Sequence, residues 1–151
     1  MQVPWQLLGL AALALVAGAS FVTQAAVNTS LRLSLNSACW ASFVSYLGGT
    51  LVMLAVIVVT REAWPQPEAM ARSSWLSWTG GFWGAVYVVI TVLLLPHLGA
   101  ATLLALIVTG MMLASLTFDH FGLLGVPQQS IDLPRLLGAA LLVVGVILIR
   151  R

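Results

Sequence analysis

Two groups of residues carry chemistry that so apolar a chain has little ordinary use for. The first is Asp119-His120, a carboxylate beside an imidazole. Histidine titrates near neutral pH, so such a pair at a bilayer boundary can couple protons or act as a gate. Neighbours on a helix point about 100° apart, however, and Phe121-Gly122 follows as a helix stop. The same pair can therefore tie a helix end to the connection beyond it. The second group is dispersed. Ser20, Gln24 and Asn28 recur every four residues and stack along one helix side. Ser42, Ser45 and Gly49 repeat the pattern on the next helix, with Tyr46 beside them, and Trp83 and Tyr87 can form an aromatic wall or pack between helices. An amide facing lipid lacks a partner, so Gln24 and Asn28 must meet protein or a wet cavity. There they bind either a small polar substrate or a neighbouring helix.

The elements that position these groups are transmembrane helices. The chain has 151 residues, 61% of them hydrophobic and 7% charged, where soluble domains carry about a quarter charged. A soluble core of this size cannot hide that much apolar surface, so lipid is the solvent for much of it. Helices are expected over Trp5 to Asn28, Ser37 to Thr60, Trp75 to Leu95, Leu98 to Phe118 and Pro134 to Ile149, forming one all-α membrane domain over residues 1–151. Pro4 suits the first turn of helix one, and the apolar start reads as that helix rather than as a signal peptide, because a basic leader region is missing. Helices three and four are joined by only Pro96 to Gly99, which predicts a helical hairpin. Arg61 to Ser74, with Pro65 and Pro67, is expected to be an irregular exposed loop. Helix five is short, and Arg135 and Arg150-Arg151 can snorkel to make up its length. Trp5, Trp40, Trp64, Trp75 and Trp78 lie near predicted ends, as an aromatic belt requires.

Five spans put the termini on opposite sides. Arg61, Arg72 and Arg135 then share one side, and Arg32, Arg150 and Arg151 the other. With three basic residues against three, the positive-inside rule has no bias to act on. Dual topology is one consequence, with two oppositely inserted copies forming an antiparallel dimer in place of an inverted repeat. Orientation set by local signals or by a partner is the other. Gly80 and Gly84 make a small-x-x-x-small pair that lets backbones approach, with Gly81 alongside as a hinge. Gly138 and Gly145 give helix five a flat stripe suited to packing or dimerisation. Four helices thus form the expected transport core and the fifth a packing helix.

Several classes are excluded. The charge is small and lies at span ends, so nucleic acid is not a partner. Cys39 is the single cysteine, which leaves no internal disulfide and no metal spacing. No cofactor motif, nucleophile–base pair or phosphate loop is present, so the chain has no enzyme chemistry. Glu62 and Glu68 fall in the loop, and Asp119 and Asp132 near helix ends. With no acid in mid-span, the buried-glutamate mechanism of small organic-cation exporters has no carrier.

Gln24-Ala25-Ala26-Val27-Asn28 with Leu31-Arg32, Gly48-Gly49-Thr50, Trp78-Thr79-Gly80-Gly81, Gly84-Ala85-Val86-Tyr87, Pro96-His97-Leu98-Gly99 and Ser115 with Asp119-His120-Phe121-Gly122-Leu123 together resemble the YdcZ-like family of the drug/metabolite transporter superfamily. Gly138 to Val146 is similar to the last helix of small multidrug-resistance proteins, through which those proteins dimerise. The resemblance implies a multi-pass protein of the bacterial inner membrane, working as an antiparallel homodimer or as a heterodimer with a paralogue. Gly110-Met111 departs from the family's usual Gly-Gln, which implies a less polar pocket. The expected function is alternating-access transport of a small molecule, with Ser20, Gln24, Asn28, Ser45, Trp83 and Tyr87 at the substrate. Asp119 and His120 would couple protons or gate. A passive channel and a non-transporting membrane partner are the alternatives.

Overall fold

The computed structural model describes residues 5–149. Six α-helices follow one another: α1 (Trp5–Leu35), α2 (Ala38–Thr60), α3 (Pro67–Arg72), α4 (Gly80–Leu98), α5 (Ala100–Phe121) and α6 (Leu133–Ile149). Short 3₁₀ turns, Trp75–Thr79 and Leu123–Gly125, precede α4 and follow α5. No strand occurs among the described residues. Helices α1, α2 and α5, together with α4 and its leading turn, are long and apolar enough to cross a membrane, and α6, at 17 residues, is shorter. This is an all-helical membrane architecture of about five spans. Pro4, Arg150 and Arg151, invoked above for a first turn and for snorkelling, lie outside the described residues.

The chain divides into two compact units, one ending at Pro96 and one beginning at His97. In the first, α1 packs along α2. Helix α1 does not end at Asn28 as expected; its 31 residues continue to Leu35, a length of about 46 Å. Asn28 and the following Thr29 are buried and belong to the helix interior. The helix stops instead at Asn36, which takes a left-handed φ of 50° while the Ser37 amide donates to the Arg32 carbonyl at 3.2 Å. Ser37 then caps α2, its hydroxyl accepting from the Trp40 amide at 3.3 Å.

The connection after α2 is more ordered than expected. Arg61 closes α2 in the left-handed region, and the Glu62 amide reaches back to the Ile57 carbonyl at 3.0 Å. Pro67 then opens α3 at a position where its missing N–H costs nothing. The Ser73 hydroxyl donates to the Met70 carbonyl (2.6 Å) and accepts from the Trp78 indole N–H (2.8 Å). Trp64, Trp75 and Trp78 are exposed.

Helix α4 also runs on past its expected end, through Pro96 to Leu98. Only Gly99, with φ 74° and ψ 160°, separates it along the chain from α5. In the second unit α5 packs on α6. Gly122 ends α5 with φ 61°, and Leu133 opens α6 just after Asp132, whose carboxylate accepts from the Arg135 amide at 3.0 Å.

Candidate functional site

The polar groups of the first unit converge on Ser45. Its hydroxyl on α2 accepts from the Asn28 side-chain amide at 3.0 Å and from the Gln24 amide at 3.3 Å. The four-residue spacing on α1 accounts for this, because Gln24 and Asn28 sit one turn apart on one face. Asn28 is buried, whereas Gln24 keeps much of its side chain exposed. Ser20, Thr23, Gln24, Val27 and Asn28 line an open groove along α1 itself.

On α4, Tyr87 completes the cluster. Its ring packs on Phe21 with centroids 5.1 Å apart and planes tilted by 40°. Its hydroxyl is buried and has no partner in hydrogen-bond geometry among the described residues. Phe21, Gln24, Asn28, Tyr87, Thr91 and Val92 surround a cavity of about 10 Å³, room for roughly one water molecule. The space is too small for a substrate in this conformation, and the Tyr87 hydroxyl and the Gln24 and Asn28 amides give it its polar side. Thr91 turns its own hydroxyl to the Tyr87 carbonyl, 2.9 Å away. The hydroxyls of Thr29 and Ser42 are likewise buried without partners.

Trp83 is not part of this group. Its side chain is exposed and lies edge-on to Phe82, with centroids 5.4 Å apart. The aromatic wall beside Tyr87 comes from Phe21, which sequence reading passed over because a lone phenylalanine on an apolar helix carries no signal. Gly84 has a visible purpose: a Cβ there would collide with the Tyr46 hydroxyl, and the ring carbon behind it would lie at 3.3 Å. Gly80, Gly81, Gly138 and Gly145 have nothing within 4 Å of an added Cβ.

Arg32 is the other residue that reading left without a role. It follows Asn28 by one turn, and its Nη1 donates to the carbonyls of Val92 (3.0 Å) and Leu93 (3.3 Å) on α4. The reason lies in Pro96. A helical residue at that position would donate its N–H to Val92; proline has none, so the carbonyl is left open and the guanidinium takes it. A proline four residues after an apolar position, and an arginine at the end of a polar stripe, were the available signals.

Asp119 and His120 sit in the second unit at the end of α5. The Asp119 carboxylate pairs with Arg135 at 3.4 Å, and Arg135 also bonds the Gln129 side chain. The Asp119 carbonyl accepts from the Gln129 amide (2.7 Å) and the His120 carbonyl from the Gln128 side chain (2.9 Å). These contacts fold the 122–132 connection back over the helix terminus. The His120 ring packs edge-on to Phe121, and its Nδ1 is buried without a partner among the described residues. No group of three or more potential metal ligands occurs among the described residues.

Among the described residues four helices are long and apolar enough to cross a membrane, and within the first unit Gln24 and Asn28 of α1 turn their amides to Ser45 of α2. The family model described as "Putative inner membrane exporter, YdcZ" matches residues 9–148. The chain belongs to this family of the drug/metabolite transporter superfamily, and is a multi-pass inner-membrane protein. No curated protein and no solved structure matches it.

Proposed function

We propose that the chain is a secondary carrier that moves a small polar molecule by alternating access, working as an antiparallel dimer. The observation that carries this reading is the Gln24–Asn28–Ser45 cluster with the unpaired Tyr87 hydroxyl beside it. A purely structural polar contact in a membrane is normally closed on itself, because an orphan group there costs free energy. Here an orphan hydroxyl, one exposed amide and an uncovered polar groove adjoin a cavity too small for anything but water. A carrier passes through such an occluded state between its two open ones. Gln24 and Asn28 bind the substrate, Tyr87 and Phe21 form its wall, and Gly84 leaves room for the Tyr46 hydroxyl to reach from α2 to α4.

A second copy supports the same reading. The α1 groove presents Ser20, Thr23 and Gln24 outward; Thr23 bonds the Ala19 carbonyl of its own helix, but the exposed Gln24 amide needs cover within a bilayer. The open glycine face of α6 adds a surface on which another helix can lie. The even distribution of arginines fits insertion in both directions.

The test is a thermal-shift screen of the detergent-purified chain against amines, amino acids, sugars, nucleosides and small anions, with Gln24→Ala alongside. A ligand that raises the melting temperature of the wild type and not of the variant is the expected result. The hit is then followed in liposomes, where saturable flux with counterflow is expected. Fast, non-saturating flux would replace the carrier by a channel. For the dimer, Thr23→Cys in a Cys39→Ser background should cross-link copy to copy; a product that stays monomeric would remove α1 from the interface.

A further inference from the structure

The polar stripe of α1 ends in a charge. Ser20, Gln24, Asn28 and Arg32 follow at four-residue intervals on one helix, so the guanidinium stands one turn beyond the Asn28 amide. Its environment is unusual in what it lacks. Arg32 is half-buried, and among the described residues its side chain hydrogen-bonds carbonyl oxygens alone, those of Val92 and Leu93. Among the described residues the single ion pair is Arg135–Asp119. The remaining acids are no help: Glu62 and Glu68 are exposed in the connection after α2, and Asp132 accepts from the Arg135 amide.

Carbonyl dipoles orient a guanidinium without cancelling its charge. A partly desolvated cation near hydrocarbon keeps a strong preference for an anion, since the local dielectric is low. Arg32 also has donors to spare. A guanidinium carries five N–H groups, and only those of Nη1 are engaged with α4. A planar fork fixed on one side and open on the other matches a carboxylate, which accepts two parallel hydrogen bonds from it. No comparable feature favours a cation, because the amides, hydroxyls and Tyr87 ring of the cluster have no carboxylate among them.

We propose that this site takes small organic anions, a carboxylate docking on the free side of Arg32 while Gln24 and Asn28 hold the polar part of the molecule. The proposal rests on the carrier reading for its biological sense and names the substrate class of that same site. Arg32 has two tasks in it: Nη1 fastens α1 to the carbonyl opened by Pro96, and the rest of the fork recognises the ligand.

The test uses matched probes of one shape and three charges. Benzoate, benzamide and benzylamine, then succinate, succinamide and 1,4-diaminobutane, are titrated onto the purified full-length chain while its melting temperature is followed. The carboxylates are expected to raise it, and their amides and amines to leave it unchanged. Arg32→Gln should weaken carboxylate binding by about ten- to a hundred-fold, the range for a charge-assisted hydrogen-bond pair. Arg32→Lys should recover part of that loss through its charge. Shifts from the amides or amines equal to those from the carboxylates would overturn the proposal, as would no carboxylate shift at all. A carboxylate shift that survives Arg32→Gln would reduce Arg32 to its structural contact and overturn it too.

If Arg32→Gln does not fold, the wild type answers the question. Carboxylates should slow phenylglyoxal modification of Arg32, read by peptide mass spectrometry, and an unchanged rate would overturn the proposal. The two readings fail separately. An amine hit lost in Gln24→Ala and kept in Arg32→Gln would spare the carrier and remove the anion. A carboxylate hit lost in Arg32→Gln, with no flux in liposomes, would spare the anion site and remove the carrier.

Discussion

The two units use their polar residues in opposite ways. In the second, Asp119, Arg135, Gln128 and Gln129 satisfy one another and the end of α5, so the connection after the helix is held in place. In the first, Gln24 and Asn28 converge on one serine, yet among the described residues Tyr87, Thr29 and Ser42 keep hydroxyls without partners and Arg32 keeps its charge without a counterion. Polar groups that close on one another stabilise a fold. A group left open beside a cavity, as the Tyr87 hydroxyl is, is available to something else. Asp119 is tied into the helix end in this way, whereas the His120 Nδ1 is buried without a partner among the described residues; the plain amides of α1 are the groups that the proposed carrier uses.

Substitutions can break or sharpen this contrast. The largest effect is expected at Arg32. Arg32→Leu leaves the Val92 carbonyl open and should destabilise the chain by about 2–3 kcal/mol, as loss of a charge-assisted hydrogen bond does. In a Pro96→Ala background the restored N–H at position 96 can take that carbonyl, so the same change should cost much less. Melting temperatures of the four proteins form a double-mutant cycle; strictly additive losses would mean that Arg32 and Pro96 do not share the carbonyl.

Next comes Gly84→Leu, which forces Tyr46 aside and should cost about 1–3 kcal/mol through overpacking. Tyr46→Ala in the same chain should return most of the loss, and failure to do so would place the strain elsewhere. Asp119→Asn should be mild. The Asp119–Arg135 pair is partly exposed, with 26% and 34% of the side chains accessible, and such pairs contribute about 0–1 kcal/mol. Flux of the screened ligand should also persist in Asp119→Asn; a chain that stays folded and loses proton-dependent flux would restore the coupling role. The smallest effect belongs to Trp83→Ala, an exposed residue outside the cluster. It should leave both melting temperature and ligand binding near the wild type, whereas Phe21→Ala should weaken binding by removing the ring against Tyr87.

Composition and periodicity alone determined that the protein is helical and membrane-embedded. A chain with so few charges has no soluble alternative, and in lipid a helix satisfies its own backbone. The same periodicity put Ser20, Gln24 and Asn28 on one face, because four residues make nearly one turn whatever the surroundings. Helix ends were harder to read. Asn28-Thr29-Ser30 has the polarity of a terminus, yet α1 continues, since Asn28 meets α2 and Thr29 lies buried instead of reaching water. Partners were not legible at all. That Asn28 would choose Ser45, that Phe21 and not Trp83 would lie against Tyr87, and that Arg32 would answer a proline sixty-four positions away depend on how separate helices pack. Spacing along one helix is set by the geometry of the backbone. Contacts between helices are set by which surfaces meet, and only the tertiary structure decides that.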